Sequence, residues 1–208
     1  MTEKRPEPIN PFAADKAVLA DIVKAARLNG EPPHADQAVL DRPLPPVHLW
    51  NPPDCGPMDL VIRADGQWIH EGRPIVRPAL VRLFSTLLRR DGESYFLVTP
   101  VEKLRISVED LPFRAVDVTS DDTGLSFTTD QGDRVRPQSA ADLWLGDGPD
   151  GQPDPKVRVR ADLWARLTRP VYYALAERAE AGEGGFGLWL RPGEWVAFGG
   201  TDTPGSAD

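Results

Sequence analysis

The amino-acid sequence predicts an α+β fold of two small, related β-rich subdomains behind an N-terminal amphipathic helix, and three observations predict it. From Met58 onward, short runs of alternating apolar residues are separated by Gly, Pro and Asp turn signals, the pattern of strands joined by tight connections. Two helical stretches interrupt these runs, and each opens on Arg-Pro, at Arg77-Pro78 and Arg169-Pro170. These stretches share a constant offset of 92 positions (169 − 77), at which Leu83 meets Leu175, Gly92 meets Gly184, Pro100 meets Pro192 and Glu102 meets Glu194. That makes six identities over 30 positions without a gap. Both units read as an Arg-Pro helix, a Gly, a strand, Pro-x-Glu and a second strand. A unit of about 50 residues used twice predicts two packed modules rather than a solenoid.

Taken in order, residues 1–11 and 200–208 are polar and are expected to be disordered. Asn10 as N-cap and Pro11 at the first turn open a helix over 12–28, with Val18 and Ile22 on its apolar stripe and Asn29-Gly30 closing it. The remainder of 12–56 is proline-rich and extended, with Leu49 and Trp50 as anchors. The first subdomain, 57–110, begins with a hairpin whose Asp65-Gly66 turn supplies the positive φ angles a tight connection needs. Its helix starts at Arg77-Pro78, places Leu80, Leu83, Phe84, Leu87 and Leu88 on one face, and closes at Asp91-Gly92. Strands at YFLVT and KLRISV follow. The second subdomain, 111–199, reads as strands at FRAVDV, GLSFTT and DRVR, then an internal break at 146–155, a strand at KVRVR, a helix at RPVYYALAERAE and a final hairpin around Pro192-Gly193.

Charge narrows the partners. Lys and Arg number 24 and Asp and Glu 32, a net charge of −8, and a surface of that sign is poorly suited to neutralising a nucleic-acid backbone. The acidity is concentrated in residues 117–155, with 2 basic and 9 acidic groups, so an anionic small molecule is not excluded from the flanking segments. The absence of an apolar run of roughly 18 residues, and of an apolar stretch near Met1, predicts neither a membrane span nor a secreted chain. A lone cysteine, Cys55, forms no internal disulfide, fits a cytoplasmic setting, and reads as a partly buried small hydrophobe.

The motifs HExxH, GxxxxGK[ST], GxSxG and CxxC do not occur, and His34, His48 and His70 lack metal-ligand spacing, so neither a metal nor a cofactor is expected. His70 beside Glu71 is either an oriented base or a surface histidine. The Arg-Pro helix starts are more informative, because they put a cation at the positive end of a helix dipole. Two compensations are open: ion pairs within each repeat, Arg77 with Glu102 and Arg169 with Glu194, or a ligand anion held at the helix start. Arg73, Arg77, Lys103 and Arg105 form the candidate anion grip, joined by Arg160, Arg169 and His70, while Trp68, Phe113 and Tyr172 are candidates to stack a base, with core packing as the competing reading.

The pieces Trp50-Asn51-Pro52, Asp65-Gly66-x-Trp68, Gly72-Arg73-Pro74-Ile75, Thr99-Pro100-Val101-Glu102-Lys103 and Val108-Glu109-Asp110-x-Pro112-Phe113 carry a resemblance. With Val159-Arg160, Arg169, Tyr172-Tyr173 and Trp189 further on, residues 44–199 resemble the proteobacterial family called Domain of Unknown Function 1285; Leu190 stands where that family would have a small polar residue. The resemblance implies two related subdomains, the second like a pleckstrin-homology fold, and a binding site at their interface. It also implies a nucleotide-like ligand and a signalling role. The expected function is therefore a non-enzymatic sensor or adaptor for a small anionic ligand. The alternatives are a module that binds a signalling protein, through a strand edge or the proline-rich segment, and an unrecognised enzyme.

Overall fold

The computed structural model describes residues 44–182 and 185–199. Their fifteen strands come as five consecutive antiparallel meanders of three. The first meander is β1 (Asp54–Ile62), β2 (Trp68–His70) and β3 (Arg73–Pro74). Helix α1 (Pro78–Thr86) then crosses to the second, β4 (Leu88–Asp91), β5 (Ser94–Val98) and β6 (Lys103–Val108). Together they make one six-stranded sheet in the order β3-β2-β1-β6-β5-β4, in which β6 returns to lie parallel to β1.

The next two meanders repeat this plan. They are β7 (Phe113–Asp121), β8 (Gly124–Thr129) and β9 (Arg134–Val135), then β10 (Leu143–Trp144), β11 (Lys156–Arg160) and β12 (Leu163–Leu167). Their sheet runs β10-β11-β12-β7-β8-β9, again with the last strand parallel to the first. A short 3-10 turn at Ala140–Asp142, closed by the Ser139 and Asp142 capping box, stands where α1 stands in the first sheet. Helix α2 (Arg169–Ala176) leads to the fifth meander, β13 (Glu180–Gly182), β14 (Gly185–Arg191) and β15 (Glu194–Ala197), a separate three-stranded sheet.

Two recurrences therefore coexist. The 92-residue spacing places α1, β4, β5 and β6 opposite α2, β13, β14 and β15, yet Leu88 faces Leu97 whereas Glu180 faces Gly187, so strand register differs between them. The full six-stranded plan recurs at a shorter distance and carries little residue identity.

Alternation along the strands sets the core. Met58, Leu60 and Ile62 of β1 point inward with Leu104 and Ile106 of β6, and Val81 and Phe84 of α1 close over them. The same apolar cluster continues into the second sheet through Phe113, Ala115, Phe127, Val157 and Ala165. No described helix is long and apolar enough to cross a membrane.

The hairpin at Asp65-Gly66 and both Arg-Pro helix starts stand where the pattern puts them, with proline in the first turn of each helix. The helices are shorter than expected. After Thr86 the chain turns into β4, because the Arg89 guanidinium binds Asp91 and the carbonyls of Val47 and Trp50, and the segment pairs with β5. The expected break at 146–155 lies inside the second sheet, between β10 and β11. Cys55 is exposed rather than partly buried. The expected helix over 12–28 lies outside the described residues.

Candidate functional site

The second sheet leaves one side of β11 uncovered. Strand β10 pairs only with Lys156 and Val157, so Arg158–Arg160 have no neighbouring strand on that side among the described residues, while β9 ends the sheet at the other margin. The sheet curls until these margins face each other: Asp133 Oδ1, just before β9, lies 3.5 Å from Arg160 Nη1, while on the β10 side Asp142 Oδ1 lies 3.1 Å from Arg158 Nε. Between them opens a groove of about 570 Å3, lined by Arg134, Arg136 and Gln138 on one wall and Arg158, Val159 and Arg160 on the other.

Each arginine is held differently. Arg158 lies over the Trp164 ring at 4.8 Å, and Arg160 over Phe113 at 5.0 Å. A register shift between the two residues breaks strict alternation and lets both guanidiniums cover rings. Arg160 also donates to the Ser85 carbonyl at the end of α1 and so joins the two sheets. Burial pushes its guanidinium below the ordinary value, with Asp133 opposing, and the group stays charged. Arg136 grips Asp121, and its hydrogen bond, followed by those of Thr123, holds that carboxyl well below the usual carboxylate range. Arg134 is exposed, and its side chain makes no hydrogen bond or ion pair among the described residues.

Two donors in the groove go unsatisfied. Arg158 Nε is at ion-pair distance from Asp142, but the geometry forms no hydrogen bond, and Arg160 Nη1 likewise has no acceptor. Both atoms are buried. An oxyanion seated in the groove would meet the exposed guanidiniums of Arg134 and Arg136.

The residues expected to form the site are scattered, and Arg160 alone among them lines the groove. Trp68 is 2% exposed and stacks on Phe84 at 6.4 Å, and Phe113 is 0% exposed beneath Arg160, so neither ring can receive a base. Tyr172 is half-buried against Phe198 and Tyr173. The expected grip does not assemble. Arg73 pairs across from His70 on the face that carries Leu60 and Trp68, whereas Lys103 and Arg105 point to the other face, against Phe96. There Asp91 and Asp54 neutralise them at 3.3 and 3.4 Å. The Gly56 amide, with Arg105 and Lys103 behind it, holds the Asp54 carboxyl below its ordinary value. The expected ion pairs do not form either. Arg77 is the exposed N-cap of α1 and its carbonyl receives the amides of Leu80 and Val81, while Glu194 pairs with Arg191 at 2.9 Å and accepts from the Ala140 amide, leaving Arg169 exposed at the start of α2.

The expected cleft between the two sheets is closed by direct contact. Arg114 of β7 donates to the Asp65 carbonyl, and Arg82 of α1 donates to the Gln131 carbonyl. At Gly66, with φ of 88°, a Cβ would stand 2.8 Å from Asp130 Oδ2, so the turn needs both the conformation and the small size of glycine.

The sequence profile of the domain of unknown function DUF1285 matches the chain twice, its N-terminal domain over residues 45–111 and its C-terminal domain over residues 112–192. The chain belongs to this family. The crystal structure of a DUF1285 family protein from Silicibacter pomeroyi DSS-3 is 38% identical, with a TM-score of 0.71 over 86% of this chain and 95% of that one. A second, from Shewanella baltica OS155, is 28% identical, with a TM-score of 0.50 over 58% of this chain and 91% of that one. None of the curated proteins matches. In this DUF1285 chain the junction of the two matched domains falls in the link between β6 and β7, where Asp110 is bound by Arg166.

Arg134, Arg136 and Arg158 of the groove were not among the residues expected to bind. The signal was present in this DUF1285 sequence as the tripeptide Arg-Val-Arg, which occurs at 134–136 and again at 158–160. Departure from small polar character at Leu190 has a packing reason, since that side chain is buried in the core.

Proposed function

We propose that this protein is a non-enzymatic binding protein, a sensor or adaptor in a signalling role, whose arginine-lined groove holds an anionic ligand by its carboxylate or phosphate oxygens. The observation that carries the reading is the four-arginine lining of the groove, in which Arg134 is exposed and its guanidinium holds no carboxylate among the described residues. A hydrogen bond from a guanidinium to an oxyanion contributes on the order of 1.5–3 kcal/mol, and Arg134 has its donors available for one. Because Arg160 also holds the Ser85 carbonyl, a ligand in the groove would act on the contact between the two domains. A pleckstrin-like character for the second domain is supported by its curled six-stranded sheet with α2 packed against β7, although such folds carry many functions. A cytoplasmic setting fits the single cysteine.

Thermal denaturation of the full chain with pyrophosphate, citrate and a nucleoside triphosphate tests the reading. A probe at about 100 times its Kd should add ~2.7 kcal/mol, a rise of roughly 5–10 °C for a chain of this size. Arg134→Ala should remove most of that rise and leave the free protein's Tm within about a degree, as expected of an exposed side chain. The absence of stabilisation by small anions and acidic peptides alike would overturn it.

A further inference from the structure

The groove is bounded by backbone as well as by charge. Its walls are the outer side of β9 and the stretch of β11 that β10 leaves uncovered, so each wall offers a strand edge without a neighbour among the described residues. Unpaired strand edges are templates for one more strand. We propose that the groove takes an extended acidic segment of a partner protein, which adds to one of these edges as a strand and lays its carboxylates against Arg134, Arg136 and Arg158. This inference rests on the anion-binding reading above and names the ligand class.

Three observations favour a peptide over a nucleotide. Each free edge alternates a guanidinium with an aliphatic side chain: Arg134 and Val135 on β9, with Arg136 just beyond it, and Arg158 and Val159 on β11, before the register shift that turns Arg160 onto the Phe113 face. A peptide that alternates acidic and small apolar residues matches that spacing, with carboxylates facing guanidiniums and methyl groups facing Val135 and Val159. No aromatic ring lines the groove, and the two rings nearest its wall, Trp164 and Phe113, are buried beneath Arg158 and Arg160, so a base finds no stacking platform. Finally, charge and shape agree. The lining carries four arginines, of which Arg136, Arg158 and Arg160 are met by Asp121, Asp142 and Asp133 while the exposed Arg134 keeps its donors for a partner's carboxylate, and the volume of about 570 Å3 lies between β9 and β11.

Calorimetric titration of the full chain with a blocked peptide of alternating Glu and Val, about seven residues long and so roughly 23 Å extended, tests the proposal. Two further probes accompany it: the same peptide N-methylated at alternate amides, which keeps the charge but removes strand hydrogen bonds, and pyrophosphate. The expected result is binding of the unmodified peptide, at least tenfold weakening by N-methylation, and at least tenfold weakening by Arg134→Glu. Arg158→Ala should weaken binding too. Because Arg158 also contacts Trp164 and Asp142, the exposed Arg134 carries the decision if the Arg158 variant misfolds. Equal binding of the N-methylated peptide would overturn strand addition. Binding of pyrophosphate without the peptide would overturn the peptide proposal and leave the anion-binding reading standing, and binding of neither would end both.

Discussion

Removing Arg166 should loosen the link between the two sheets. This β12 residue donates Nε to Asp110 Oδ2 at 2.9 Å and Nη2 to Asp110 Oδ1 at 2.5 Å, and Nη1 to Asp154. The side chains of Arg166, Asp110 and Asp154 are 25%, 29% and 21% exposed, between a surface pair and a buried one. Surface pairs contribute roughly 0–1 kcal/mol, and breaking a buried pair costs roughly 3–5. Asp154 keeps its partner Lys156 at 2.7 Å, so the main loss falls on Asp110, and Arg166→Ala should cost about 2 kcal/mol. At roughly 2–4 °C per kcal/mol for this chain length, Tm falls by about 4–8 °C. The assay is urea and thermal denaturation of Arg166→Ala, Asp110→Ala and the double variant. A coupling energy of about 1 kcal/mol or more is expected for residues in direct contact. A Tm change under about 1 °C, or additive single effects, would refute the reasoning.

The face of the small C-terminal sheet is set by one ring. A Cβ on Gly187 would stand 2.5 Å from both Trp195 Cε2 and the Val196 carbonyl oxygen, whereas on Gly182 it would meet Trp195 ring atoms alone. Gly187→Ala should therefore cost about 2–3 kcal/mol and Gly182→Ala about 1, because a ring can tilt and a backbone carbonyl cannot; equal costs by denaturation would contradict this. Acid should also destabilise the protein in a defined window. The hydrogen bond from Arg89 holds Asp91 below its ordinary value, and at Asp154 burial opposes ionisation but is outweighed by the hydrogen bonds from Lys156 and Arg166. Depressed carboxylates stabilise the fold above their unfolded value near pH 4, and that stability is lost as pH falls through the lower folded values. Tm should thus hold from about pH 7 to 5 and drop below about 4, less steeply in Arg166→Ala. A Tm that rises on acidification would contradict the assignment.

Local signals were readable in the sequence and long-range ones were not. Asp65-Gly66 and the two Arg-Pro starts declare themselves because a turn or a helix start depends on a few adjacent residues. Strand β4 was hidden because Leu87 and Leu88 extend the helical period of α1, and what stops the helix is Arg89 reaching back to Val47 and Trp50. The parallel pairings β1 with β6 and β7 with β12 join residues about as far apart as the sheets are long in sequence, and nothing local announces them. The groove was concealed in the same way. Its two Arg-Val-Arg segments lie 24 positions apart (158 − 134), and Arg134 and Arg136 sit in the stretch whose acidic excess masks them. Trp68 and Phe113 looked like ligand rings because residue type alone does not reveal a strand's inward face, and pairing with Ile62 and Ala165 turns both into the core.

The central claim is that anions are bound in the groove between β9 and β11, and an amide chemical-shift map of the full chain, titrated with the alternating Glu-Val peptide and with pyrophosphate, tests it most directly. The account predicts perturbations that converge on Arg134–Gln138 and Arg158–Arg160. Perturbations centred instead on Phe96, Lys103 and Arg105 of the first sheet, with the groove amides unmoved, would contradict it.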